Sequence, residues 1–148
     1  MASRRIASDY KIITTQPPDG VRLVEQETLN EWICEIDGPK DTIWENGVFR
    51  LKVTFPPEYP FKAPRVVFTT PMFHPNISPQ GNICIDLLFD RWLPSFHIAS
   101  LLVSIRSFLD DPNPDHGLNN EALDQFRNNK ELYARNVKKY IEQYATKK

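Results

Sequence analysis

A chain of 148 residues suits one compact domain, and at that size folding buries about 68–70% of the unfolded surface, enough to dispense with a disulfide or metal. Eighteen basic and 19 acidic residues leave a net charge of −1, which argues against a dedicated nucleic-acid binder, whose footprint is a basic excess. No apolar run approaches the ~20 residues of a membrane span, and Met1 to Ile6 lacks the apolar core of a signal peptide. Cytosol or nucleus is the expected compartment, without membrane or nucleic-acid partners.

In chain order, Ile6, Tyr10 and Ile13 stand at i, i+4 and i+7, with Ser3 available as a cap. They predict a short amphipathic helix ending before Pro17-Pro18. Val21 and Leu23 alternate with polar neighbours, as do Trp32, Cys34 and Ile36. Phe49, Leu51, Val53 and Phe55 alternate with Arg50, Lys52 and Thr54, and Val66 to Thr69 offers a fourth strand. Short connections between the first three strands predict an antiparallel meander. From about 70 to 97 no period persists, yet Met72, Phe73, Ile77, Ile83, Leu87 and Trp92 make that stretch apolar. A long apolar loop in a compact domain implies order, and order there implies function. Ile98, Leu101, Leu102, Ile105 and Leu109 form a helical stripe stopped by Asp110-Asp111-Pro112-Asn113-Pro114. A short helix after Asn120 and a last one carrying Tyr133, Val137, Ile141 and Tyr144 complete an α+β fold. The order is helix, four strands, active-site loop and three helices in a single domain over 1–148.

The sequence holds two cysteines, which stay thiols in a reducing compartment. Cys34 shares its alternating face with Trp32 and Ile36 and reads as core. Cys84 lies in Gly81-Asn82-Ile83-Cys84-Ile85-Asp86, where no period demands an apolar residue; a nucleophile and a packed loop cysteine both fit. A thiol-protease arrangement would need His74, His97 or His116 as partner, but no helix start or glycine elbow follows Cys84. No CxxC or HxxxH pair supports zinc.

The combination of motifs is more specific. His74-Pro75-Asn76 stands eight residues before Cys84 (counted from Asn76), Trp92-Leu93-Pro94 follows, Tyr59-Pro60-Phe61-Lys62-Ala63-Pro64 precedes, and Asp111-Pro112-Asn113-Pro114 comes later. This pattern resembles the ubiquitin-conjugating enzyme family, with its HPN tripeptide, spaced active-site cysteine, YPFxxP loop and DPNP turn. The resemblance covers the whole chain and is nearest to the core-only, ligase-promiscuous branch.

The resemblance implies that an activating enzyme spends ATP upstream, that ubiquitin passes to Cys84 as a thioester, and that a lysine or ligase cysteine then attacks. No bound cofactor is needed. It assigns Asn76 to the developing oxyanion, although an asparagine organising its loop fits equally. His74 and Pro75 become structural members of the active-site loop. Asp86 and His116 are placed beside the nucleophile to receive the acceptor. Arg4 and Arg5 form the basic end that meets the activating enzyme. Phe61 and Pro94, with Leu93, form the edge for RING-, HECT- or RBR-type ligases, and the expected state is a monomer. Three departures stand out: Leu93 in place of a serine, Arg22 where the branch has a small residue on the outer sheet face, and Asp115-His116 in place of an acidic pair. The alternatives are conjugation of another modifier and a binding variant without activity.

Overall fold

The computed structural model describes residues 2–83 and 92–146. Helix α1 (Ala2–Thr15) leads into strands β1 (Val21–Thr28), β2 (Glu31–Asp37), β3 (Val48–Thr54) and β4 (Arg65–Phe68). Helices α2 (Ile98–Phe108), α3 (Asn120–Asn128) and α4 (Lys130–Tyr144) follow. The strands form one antiparallel sheet in the order β1-β2-β3-β4, the predicted meander.

Period-two alternation fixes the register. Trp32, Cys34 and Ile36 pair with Val53, Leu51 and Phe49, and all six are buried. A one-residue slip would turn that whole set to solvent. Glu31, Glu35, Arg50 and Lys52 occupy the opposite face. There Arg22 Nε lies 3.0 Å from Glu35 Oε1 and its Nη2 2.8 Å from Asp37 Oδ1, while Arg50 reaches the other Glu35 oxygen at 3.0 Å. The charged departure at position 22 is therefore held by carboxylates on the neighbouring strand. β1 departs from simple alternation: register shifts between Leu23 and Glu25 and between Gln26 and Thr28 leave Val24 exposed, as bulges on edge strands do.

Helix α1 also differs from its prediction. It begins at Ala2, so Ser3 lies inside it rather than capping it. The buried residues are Ile6, Asp9 and Ile13, while Tyr10 is exposed. A carboxylate thus occupies the i+3 position of the core-facing stripe.

The helices after the sheet are capped by side chains. Asn119 accepts from the Ala122 N–H at 3.2 Å and Asn129 from the Leu132 N–H at 3.2 Å. Asn129 closes α3 and opens α4, which breaks what would otherwise run as one helix. α1 packs on β1 and on α2, and α2 packs on β1 and β2. Ile98, Leu102 and Ile105 seal the inner sheet face with no exposure.

Candidate active site

The segment from Thr69 to Ile83 has little regular structure, yet Met72 through Ile77 are buried without a gap. Short antiparallel bridges hold it: Val67 to Asn82, His74 to Ile77, and Ile77 to Ile83. Gly81 sits at φ +93° with its peptide against β4, and a Cβ there would lie 2.0 Å from the Phe68 carbonyl oxygen. Only glycine fits. Ile83, the residue before Cys84, therefore pairs with Ile77, the residue after Asn76. Cys84 and Asp86 themselves lie outside the described residues.

His74 is fully buried against the rings of Trp44 and Phe108. Its Nδ1 accepts the Asn76 backbone N–H at 3.0 Å, and Nε2 lies 3.4 Å from the Phe108 carbonyl. The tautomer with hydrogen on Nε2 satisfies both contacts. Desolvation pushes its pKa down to about 4, so the imidazole is neutral near pH 7 and stays structural. As pH falls below the ordinary value of about 6.5, the unfolded chain binds this proton first. His74 thus contributes stability that is full above about pH 6.5 and lost towards pH 4, roughly 3 kcal/mol over the window. Urea unfolding of wild type and His74→Gln at pH 7 and pH 4.5 checks this. The wild type should lose more stability between those pH values than the variant, and equal losses would refute the assignment.

The other two members of the tripeptide hold the segment after α2. The Pro75 carbonyl accepts from Leu118 N at 2.8 Å and Asn119 N at 3.2 Å. The Asn76 side chain, fully buried, accepts the Asn113 N–H on Oδ1 at 2.7 Å. Its Nδ2 donates to the carbonyls of Asn113 at 2.7 Å and His116 at 2.5 Å. Both amide protons are engaged, so Asn76 clamps the 113–116 turn to the loop. His116 contributes its carbonyl to this clamp and carries its side chain at the exposed surface.

A sequence model described as "Ubiquitin-conjugating enzyme" matches residues 5–141. The chain belongs to that family. It is 41% identical over 142 residues to "Ubiquitin-conjugating enzyme E2 2" of Mycosarcoma maydis, covering 95% of this chain and 77% of that protein. It is 42% identical over 143 residues to "Ubiquitin-conjugating enzyme E2 3" of Arabidopsis thaliana, covering 96% and 95% respectively. The enzyme is accordingly a ubiquitin-conjugating transferase of the α+β fold described above.

In this conjugating enzyme the expected ligase edge is exposed and apolar. Phe61 is 68% exposed and Leu93 54% exposed, and Pro94 lies beside Leu93 at the surface. The two loops are tied together, because Trp92 Nε1 donates to the Pro60 carbonyl at 2.7 Å. The two arginines of α1 part company. Arg4 is exposed, whereas Arg5 turns inward and donates to the Pro94 carbonyl at 2.7 Å and the Phe96 carbonyl at 2.5 Å. His97 packs with Asp9 at 2.9 Å, away from the His74–Asn76 clamp.

Sequence reading missed Asp9, Tyr59 and Asn113 as organising residues. The signal for Asp9 was its position between Ile6 and Ile13 on one helix face. Tyr59 and Asn113 lie inside the YPFxxP and DPNP segments, whose linear pattern carries no mark of the distant groups they meet.

Proposed function

We propose that the enzyme accepts ubiquitin from the activating enzyme as a thioester on Cys84 and passes it to a lysine or to a ligase cysteine, as a monomer in cytoplasm and nucleus. The observation carrying this reading is the clamped HPN segment, whose Ile77 bridges to the residue before Cys84. The Cys84 thiolate attacks the thioester carbonyl on the activating enzyme, and that enzyme's cysteine leaves as thiolate. In the second step an amine nitrogen or a ligase thiolate attacks the new carbonyl, the C–S bond to Cys84 breaks, and an attacking amine loses its proton to solvent or a nearby base. ATP is spent upstream, so no bound cofactor enters either step.

Incubation with activating enzyme, ATP and ubiquitin tests this directly. A reductant-sensitive adduct one ubiquitin heavier is expected. A parallel reaction with SUMO and its activating enzyme should give none, and the reverse pattern would transfer the enzyme to another modifier.

The ligase edge has its own test. An exposed aromatic on a tied loop is the form of an interface anchor, and truncating such an anchor costs ~2 kcal/mol or more. Phe61→Ala should leave loading intact while discharge stimulated by RING-type ligases falls at least about tenfold. Unchanged discharge across a panel of ligases removes Phe61 from the interface.

His116 bears on the choice of acceptor. A lysine at pKa ~10.4 must lose its proton before it attacks, and a carboxylate at this position would orient the ammonium and assist that loss. A thiol needs less help. Single-turnover discharge should show slow reaction with free lysine, faster reaction with cysteine, and a gain for lysine alone in His116→Asp. Rapid wild-type discharge to lysine, with no gain in the variant, counts against this role.

A further inference from the structure

A buried carboxylate on α1 stands at the root of the ligase edge. The Asp9 side chain has no solvent exposure, an unusual place for a charge unless it is paired and hydrogen-bonded. Its partners come from three separate parts of the chain. The Tyr59 hydroxyl donates to Oδ2. His97 Nδ1 lies 2.9 Å from Oδ1, the Ile98 N–H 3.4 Å from the same oxygen, and Arg5 Nε 3.6 Å from Oδ2. Arg5 extends past Asp9 over the Tyr59 ring, 6.0 Å from its centroid, and its two terminal nitrogens take the carbonyls of Pro94 and Phe96 on either side of Ser95.

We propose that Asp9 and Arg5 form a positioning unit by which α1 holds the ligase-binding edge in its binding-ready shape. This rests on reading Phe61, Leu93 and Pro94 as that edge. The unit reaches both halves of it: Tyr59 adjoins Pro60 and Phe61, and the carbonyls gripped by Arg5 belong to the loop carrying Leu93 and Pro94. Leu93, Pro94, Ser95 and Phe96 are all exposed, so among the described residues the loop has little side-chain burial of its own to fix it. Trp92 and Arg5 supply that constraint through the backbone.

Cohesion alone does not account for the arrangement. An apolar residue at position 9 would pack α1 on α2 at no desolvation cost. What the carboxylate adds is charge: it lies 3.6 Å from Arg5 Nε as an ion pair without a hydrogen bond, and draws inward a planar fork whose two terminal nitrogens span the two carbonyls, which a point charge cannot do in the same way. A loop already ordered pays less to be bound.

The test uses the intact enzyme, unloaded, titrated with a RING ligase domain, alongside loading by the activating enzyme. Asp9→Asn and Arg5→Lys should each weaken ligase binding about tenfold, with Asp9→Asn loading at the wild-type rate. Backbone amide shifts at 93 and 95–97 and the Trp92 indole N–H should move in both. Lysine keeps the charge, so a wild-type ligase affinity for Arg5→Lys overturns the proposal. Arg5 is partly exposed, so Arg5→Lys carries the test should Asp9→Asn fail to fold. Phe61→Ala serves as control. If it too binds the ligase like wild type, the reading of the edge has failed and the proposal with it. If Phe61→Ala weakens binding and Arg5→Lys does not, only the positioning role has failed.

Discussion

Cys84→Ala is expected to abolish the reductant-sensitive ubiquitin adduct completely, while Cys34→Ala retains it at close to the wild-type rate. The contrast rests on what the fold does to Cys34. Its side chain is fully buried on the inner face of β2, between Leu23 and Leu51 on the flanking strands. Burial pushes its thiol up to about 12. The thiolate is the nucleophile, and at pH 7 a thiol with that pKa holds about one part in 10⁵ as thiolate. No protein partner can reach it without opening the sheet. Cys34→Ala removes one sulfur from the core and should cost on the order of 1 kcal/mol of stability, which leaves a folded enzyme to assay. Non-reducing electrophoresis after a short pulse with activating enzyme, ATP and ubiquitin reads both variants. An adduct that persists without Cys84 would move the acceptor elsewhere in the chain.

Asn76→Ala should be the next most damaging change, and it should damage the fold and the reaction together. The substitution deletes three hydrogen bonds at once: the Asn113 N–H loses its acceptor, and the carbonyls of Asn113 and His116 lose their donor. At about 1 kcal/mol net for each bond, the expected destabilisation is about 2–3 kcal/mol. The 113–116 turn would then be held to the loop only through the Pro75 carbonyl bonds that follow it, and misplacement by about 1 Å is enough to slow a positioned reaction ~10²-fold. Discharge to lysine and to a thiol should therefore fall alike, in step with a lowered Tm. An oxyanion donor acting alone would give a different result, namely slow discharge with unchanged thermal unfolding. That outcome would show that the clamp seen between Asn76 and the 113–116 turn is incidental.

The sheet and the helix after it were legible because their determinants are local and periodic. Alternation in Trp32-Cys34-Ile36 and Phe49-Leu51-Val53 states which face is buried. Antiparallel pairing of the two sets then rules out a one-residue slip, which would turn one of them to solvent. The stripe from Ile98 to Leu109 and the prolines after it set the extent of α2 in the same way. Family membership was legible for a different reason: the spacing from the HPN tripeptide to the cysteine, and the flanking YPFxxP and DPNP segments, are linear patterns.

Periodicity failed where a position's environment came from distant segments. In α1 it nominated Tyr10 for the core, yet Asp9 is buried and Tyr10 is not. The chemistry that makes a buried carboxylate tolerable comes from Tyr59 and His97, 50 and 88 residues away. Arg5 likewise reads as a free basic residue beside Arg4 until the Pro94 and Phe96 carbonyls are brought to it across 89 and 91 residues.

The sequence by itself determined the α+β class, the buried face of the strands, the family and the nucleophile candidate, because hydrophobic period and motif spacing are properties of neighbouring residues. Only the tertiary structure decided what the motif residues hold. Whether Asn76 clamps a turn depends on acceptors and donors 37 and 40 residues away. A side-chain amide carries no mark in the sequence of which distant carbonyl it will meet, since that pairing exists only once packing has brought the two segments within hydrogen-bonding distance.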